Sequence, residues 1–312
     1  GVFGESSFTM EDVLVEQCDG SGVVAVGTSV IGRCTNVEVH QCGGSGVIAF
    51  SGASITLIGA KTTVHHNCTK GDSDNYGLQV YGSSSSTIQL VSPLTKEQVS
   101  VNNGGGGNWG AESDGDIHQI KTRRYRSKRT STRALVVASG ETKTTSTSSL
   151  TPFEANVVLR VPEECNTLEE AVKKVQEDNC LTTIVVGEGE HQIDGVCNIE
   201  SAMNIVGDPE VPKEKIVVLG GIAFKKGIQG NCHLQHLTIR QATQCGVHGQ
   251  SSFTMEDVLV EQCGYAGVWA RVTGVVSRCT NVEVRHCGLS GVSAINGASI
   301  TLIGAKTTVH HN

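Results

Sequence analysis

"VLVEQCGYAGV" occupies residues 258–268. Ahead of it stands LTIRQATQCGV (237–247), and behind it VEVRHCGLSGV (282–292). Each segment reads as a short β-prone run, a small turn, and a Gly-Val pair that opens a second run. The marker glycines Gly246, Gly267 and Gly291 recur after 21 and 24 residues. A second set, Gly1, Gly22 and Gly46, keeps the same rhythm and continues through longer insertions to Gly77 and Gly110.

Residues alternate after each marker. Val268 and Ala270 fall on one side and Trp269 on the other; Val23/Ala25, Val47/Ala49, Val292/Ala294 and Leu78/Val80 repeat the pattern. The residues between them are Trp269, Val24, Ile48, Ser293 and Gln79. A period of two turns the constant apolar set inward and the varied set outward. On the strand before the marker, Val258, Val260, Val282 and Val284 read inward. Leu14, Glu38, Thr63, Ser100 and Thr238 read outward there, and Glu283 is the copy of Glu38. Coils of this length are too short for βαβ units, which need ~30 residues. A short strand in such a coil buries its apolar face only by stacking on neighbouring coils. A sandwich would also alternate, but it would not place the same residue class at the same coil position. The pattern predicts an all-β parallel solenoid.

The rhythm is nested in a longer duplication. Residues 1–67 align without a gap to 246–312, with about fifty identities, and GASITLIGAKTTVHHN closes both copies. The expected organisation is 1–122 as the later part of one unit and 153–312 as the earlier part of a second, cut from a longer tandem array. Between them, 123–152 is basic and rich in Ser and Thr, as a solvated linker is. It holds RSKR (126–129), which resembles a furin-type or nuclear-import signal, and a possible stray strand ALVV (134–137). NTLEEAVKKVQEDNC (166–180) is the one helix expected, since Leu168, Ala171, Val172 and Val175 follow helical spacing. Asn166 with Glu169, or Thr167 with Glu170, offers its N-cap. Strands are expected at 182–187, 203–207 and 215–221. The two open ends are expected to stack, so that 153–312 runs into 1–122.

Coil period and the C-G-x-x-G-V turn together resemble the right-handed parallel β-helix superfamily. That superfamily holds pectate-lyase-like enzymes and also non-catalytic β-helices such as those of F-box-associated proteins. The resemblance implies a right-handed β-helix with a short N-terminal capping helix per unit, which would cover an open, unpaired end.

Composition narrows the partners. The net charge is −7, and seven basic residues (Lys121, Arg123, Arg124, Arg126, Lys128, Arg129 and Arg133) lie in one stretch. The other 17 face 31 acidic residues, leaving about −14 elsewhere, a poor surface for nucleic acid. No apolar run approaches the ~20 residues of a membrane span. Twelve cysteines are present. Cys165 and Cys180 flank the helix, ~20 Å apart and too far to bridge. Cys263/Cys287 and Cys18/Cys42 stack one coil apart, where a disulfide fits, but small apolar core thiols are the expectation. That reading leans intracellular.

Catalysis in the resembled superfamily uses Asp clusters with Arg or Lys along an outer strand face, either on calcium or as a carboxylate pair. No such column appears at the outward positions named above, where Glu38 and Glu283 stand alone. GDSDN (71–75) and ESDGD (112–116) make Asp72, Asp74, Asp114 and Asp116 weak calcium candidates, with solvated turns as the plainer reading. His65-His66 and His310-His311 read as turn-edge residues, because neighbours on a strand point to opposite faces. Two functions follow. One is a non-enzymatic scaffold that binds a protein or polysaccharide through an outward face holding Trp269, Glu283, Glu38 and Gln79, with no cofactor. The other is a pectate-lyase-like lyase, hydrolase or epimerase, which rests on fold resemblance alone.

Overall fold

The computed structural model describes residues 1–123, 158–178 and 180–312. The expected linker beyond Arg123, the RSKR and ALVV segments and the expected start of the second unit at 153 lie outside them. The described chain is a parallel β-solenoid of about eleven coils. No helix among the described residues is long and apolar enough to cross a membrane.

Three parallel ladders run along the solenoid. One is unbroken from Val158–Val161 through Thr183–Val186, Asn204–Gly207 and Ser299–His310 to Phe8–Glu16 and on to Ile120–Arg123. The other two carry the strands before and after the marker glycine. The pattern in the sequence named two strands per coil; the third face is built by segments such as Val276–Thr280, where Ser277 and Cys279 point inward.

The two halves meet inside this stack. Val2–Gly4 pairs with Ser290–Ile295, and Phe8–Glu16 pairs with Ser299–His310. Backbone bonds from Glu5 N to Ala294 O (2.9 Å) and from Asp19 N to Asn312 O (2.8 Å) cross the same seam. The block 1–67 is thus three coils laid on their own copy.

Inward alternation builds one continuous core. Val247, Val268, Val292, Val2, Val23, Val47 and Leu78 form one buried column in register. Full burial of each such side chain is worth about 1.5–3 kcal/mol. The marker must be glycine for a steric reason. A Cβ on Gly22, Gly46, Gly246, Gly267 or Gly291 would overlap a Cγ1 methyl of Val39, Val64, Val260, Val284 or Val309, respectively. Gly110 is not a marker: it sits in the outward column beside Gln79, and the register places Asn108 opposite Gly77.

A second interior column lies just past the charged turn: Ala242, Cys263, Cys287, Asn312, Cys18, Cys42, Asn67 and Asn103. Its members follow residues paired in register. Asn67 is 1% exposed; its Oδ1 accepts from Cys42 N (3.1 Å) and its Nδ2 donates to Val39 O (3.0 Å). The preceding turn residue has positive φ in every coil, at Gln17 (50°), Gln41 (56°), His66 (53°), His286 (55°) and His311 (53°) among others.

The capping helix is Leu168–Glu177, shorter than the 166–180 expected, and buries Leu168, Ala171, Val172 and Val175 against the first strands. Thr167 is its N-cap, accepting from Glu170 N at 3.1 Å, while Glu170 accepts from Asn166 N at 3.2 Å. Two outward assignments change. Ser100 pairs beside Val64 and is fully buried. Thr238 keeps its outward column but is buried, because the segment around Lys213 lies over it and Thr238 Oγ1 donates to Lys213 O (2.9 Å).

Candidate ligand face and the charged ladder

After the marker, the outward column runs His248, Trp269, Ser293, Phe3, Val24, Ile48, Gln79 in consecutive coils. It carries no charged side chain along this stretch. Trp269 is its centre. The His248 ring stacks on it at 4.9 Å and 18°, Tyr265 lies beside it at 5.5 Å and 51°, and the Arg271 guanidinium sits 5.7 Å from its centroid. His248 Nε2 is buried and has no hydrogen-bond partner among the described residues. Burial, then the charges of Arg271 and Lys225, hold the His248 imidazole below its usual value. Beside Trp269 opens a recess of about 120 Å³ lined by Phe3, Glu5, Tyr265, Trp269, Leu289 and Ser293, with Ala266, Ser290 and Ile295.

Gln79 occupies the outward column but is 3% exposed. The inserted 68–76 loop folds over it. Its Nε2 donates to Asp74 O (2.7 Å) and Glu112 Oε2 (3.2 Å), and its Oε1 accepts from Ser45 Oγ. Gln79 is therefore fully committed within the fold and presents nothing to a ligand.

A charged column does exist, two residues beyond the Glu38 position. In register it runs Arg240, Glu261, Arg285, His310, Glu16, His40, His65. Its carboxylates are all engaged. Glu261, 6% exposed, accepts from Arg240 Nε (2.6 Å) and from Arg285 (2.8 Å). Burial acts to raise its carboxyl, but the hydrogen bonds and charges of Arg285 and Arg240 outweigh it and hold the group below the usual carboxylate range. Glu283 bridges Arg285 (2.8 Å) and His310 (3.2 Å), Glu16 faces His40 (3.3 Å), and Glu38 faces His65 (3.0 Å). The His40 and His65 rings stack at 5.1 Å and 6°.

The histidine pairs meet after all. Positive φ at His66 and His311 turns each second ring back onto the first, with Nδ1–Nδ1 distances of 2.8 and 2.7 Å. With His65 Nε2–H donating to Glu38, its Nδ1 accepts from His66 Nδ1–H, and His66 Nε2 is left facing out. Glu283, His310 and His311 repeat this chain. The arrangement orients imidazoles; among the described residues no serine or cysteine side chain is hydrogen-bonded to them.

The acidic loops meet the outward column only at Gln79, through Asp74 O and Glu112 Oε2. Asp72 and Asp74 are exposed and bond locally, to Asn75 Nδ2 (3.4 Å) and Ser73 Oγ (3.0 Å). Asp116 caps the short 3-10 turn Ile117–Gln119 by accepting from His118 N (2.9 Å), and Asp114 is exposed. Among the described residues no group of three or more His, Cys, Asp or Glu side chains is arranged to hold a metal ion.

The twelve cysteines are free thiols, eleven of them buried and Cys180 exposed. Burial pushes Cys34, Cys197 and Cys279 up to about 12.

Compared with protein-family models, with curated proteins and with solved structures, the chain matches none.

Proposed function

We propose that this chain is a non-enzymatic β-solenoid scaffold that binds a protein or a polysaccharide through the outward face around Trp269. The observation that carries this reading is the uncharged outward column, with its aromatic group open beside a recess while Gln79 is withdrawn under a loop. Exposed Tyr265 (43%) and Leu289 (57%) add apolar surface at the same place. Aromatic residues at a concave, partly apolar site favour binding. Glu283 and Glu38 lie on the neighbouring face and act there as ion-pair partners of the ladder. Coils that repeat in register also suit binding at several points along one ligand.

A second reading has one observation in its favour. The Arg–Glu–His column is the kind of outer-face array on which a pectate-lyase-like carbohydrate-active enzyme would work. Against it, each carboxylate of that array already answers an Arg or His, which leaves none free to take a proton or hold calcium.

One experiment separates the two. The protein is incubated with acidic and neutral polysaccharides, with calcium and with chelator, and product release and retention are measured together. Retention without release, or capture of a protein partner without either, is expected. Calcium-dependent release would overturn the scaffold and direct mutation to Asp72, Asp74, Asp114 and Asp116.

A further inference from the structure

The recess beside Trp269 has three aromatic walls, Trp269, Tyr265 and Phe3, and one ionisable carboxylate, Glu5. Among the described residues no lysine or arginine lines it. Trp269 and Phe3 are both in register with Ser293, one on either side. Their backbones therefore stand two strand spacings apart, ~9–10 Å, with the small Ser293 between them. One face of Trp269 is covered by the His248 ring, and the recess lies on the side that Trp269 shares with Ser293 and Phe3.

That width decides between guests. A flat ring in van der Waals contact with both walls needs only ~7–8 Å. A group midway across a gap of ~9–10 Å lies just under ~5 Å from either wall, inside the ~6 Å range over which an aromatic face attracts a cation. A volume of about 120 Å³ admits a compact group. Glu5 supplies the negative charge, and Leu289 and Ile295 supply apolar contact for alkyl groups.

The chain's own duplication marks this place. Of the 67 aligned pairs, 17 differ (67 less 50). Twelve of these 17 fall within, or one or two residues beside, strands Val247–Gly249, Ala266–Arg271 and Ser290–Ile295. The inward residues Val247, Gly249, Val268, Ala270, Val292 and Ala294 are unchanged, and buried Ala266 replaces Ser21. In the other copy, Val24 and Ile48 stand where Trp269 and Ser293 stand here, and Gly20 replaces Tyr265. One copy fills the slot and the other opens it on a shared core, which is how a recognition surface diverges while its scaffold is kept.

We infer that the Trp269–Tyr265–Phe3 recess, with Glu5, is an aromatic cage for a methylated ammonium group, on a methylated lysine side chain or on a choline moiety. It rests on the reading of this face as the ligand surface, and it names the chemistry the face selects. The cage is assembled only across the seam, since Phe3 and Glu5 come from one copy and Trp269 and Tyr265 from the other. Arg271, 5.7 Å from the Trp269 centroid, competes for that ring and weakens the site by repulsion.

The test uses the full chain with Trp109→Phe, which leaves Trp269 as its single tryptophan. Its fluorescence is titrated with choline, with an Nζ-trimethyllysine peptide, with the unmethylated peptide and with 3,3-dimethylbutanol, the uncharged isostere of choline. Saturable change is expected with the two methylated cations, and binding about tenfold weaker with the isostere. Preference between choline and the trimethyllysine peptide identifies the source. Ser293→Ile and Trp269→Val install residues the other copy already carries, so they keep the fold, and each is expected to abolish the response to the trimethyllysine peptide in a displacement assay. Glu5→Gln weakens binding, and Arg271→Val, again the other copy's residue, strengthens it. Equal binding of choline and its isostere, or binding unaffected by Ser293→Ile, overturns the cage. Fluorescence change with cellohexaose but with neither cation overturns it as well, while leaving the scaffold reading standing as a glycan surface. Calcium-dependent polysaccharide cleavage removes the scaffold reading itself.

Discussion

Val2 lies in parallel register against Val292, so the first strand of the chain is laid on one of its last. Phe3 faces Ser293 at the next position. Partners in a parallel ladder sit about 5 Å apart, within reach of a disulfide. The double substitution Phe3→Cys/Ser293→Cys is therefore expected to form an intramolecular cross-link under mild oxidation, seen by non-reducing electrophoresis and peptide mass. Cross-links only between chains would show that the seam is not made within one molecule.

Glu261 is held almost dry between two arginines. Replacing it by Gln removes the charge that answers Arg240 and Arg285, but both arginines keep partial access to water. The expected loss is about 2 kcal/mol, read as a lower denaturant midpoint at unchanged slope. An unchanged midpoint would mean that the arginines are solvated equally well without it.

Acid should weaken the fold in two stages. Burial, then the charges of His311, Arg285 and His310, hold His286 below its usual value, and His248 is held low as well. The unfolded chain binds more protons as pH falls below about 6.5, so stability drops from there. Glu261 and Asp257 are depressed carboxylates, Asp257 through Lys213 and His236, which outweigh its burial. Their contribution is present above the unfolded carboxylate value of about 4 and is lost as pH falls through the depressed folded value. A melting temperature that is flat from pH 7.5 to 5 would contradict the histidine part.

Asn67 interrupts the thiol column with a side chain that satisfies Cys42 N and Val39 O. Asn67→Cys keeps a residue the column accepts but leaves those backbone groups unanswered, at a cost of about 1–3 kcal/mol. Thermal unfolding at neutral pH measures it. A milder effect than that of Cys42→Ala would show that packing, not hydrogen bonding, governs this column.

Thiol reactivity should follow burial. In the native protein, Cys180 is expected to react rapidly with a thiol reagent and the other eleven slowly, all twelve reacting once unfolded. Cys18 is the stringent case: the neighbouring Cys42 acts to lower its thiol against the opposing effect of burial, yet only 2% of it is exposed. Rapid labelling of Cys18 would show that this turn opens readily.

Much of the fold was legible because each coil repeats one physical requirement. Val and Ala at alternate positions, and a glycine where a Cβ would strike the next valine, report burial and closeness directly in residue type. The third strand of each coil is less legible because segments such as Val276–Thr280 turn Val276 outward and Ser277 inward, against the apolar-in pattern. The site was less legible. Trp269 was visible as the odd residue in its column, but Gln79 looked exposed until a loop covered it. The charged ladder lay in plain sequence, at Arg240, Glu261, Arg285, Glu16 and His40. It stands one residue past the last inward aliphatic residue of each strand, where the turn begins.

The sequence alone determined the parallel solenoid, the inward columns, the capping helix and the duplication, because these follow from local periodicity and from stacking like upon like. Stacking of the two open ends is an expectation of the sequence, but only the tertiary structure decided the register in which coil rests on coil. The core columns are the same in both copies, so any coil of this pattern satisfies its neighbour's inward face, and local residue type does not choose among them. The seam at Val2 and Val292 makes that choice. It sets Phe3 and Glu5 across from Trp269 and Tyr265, residues far apart in the chain whose meeting no local pattern encodes.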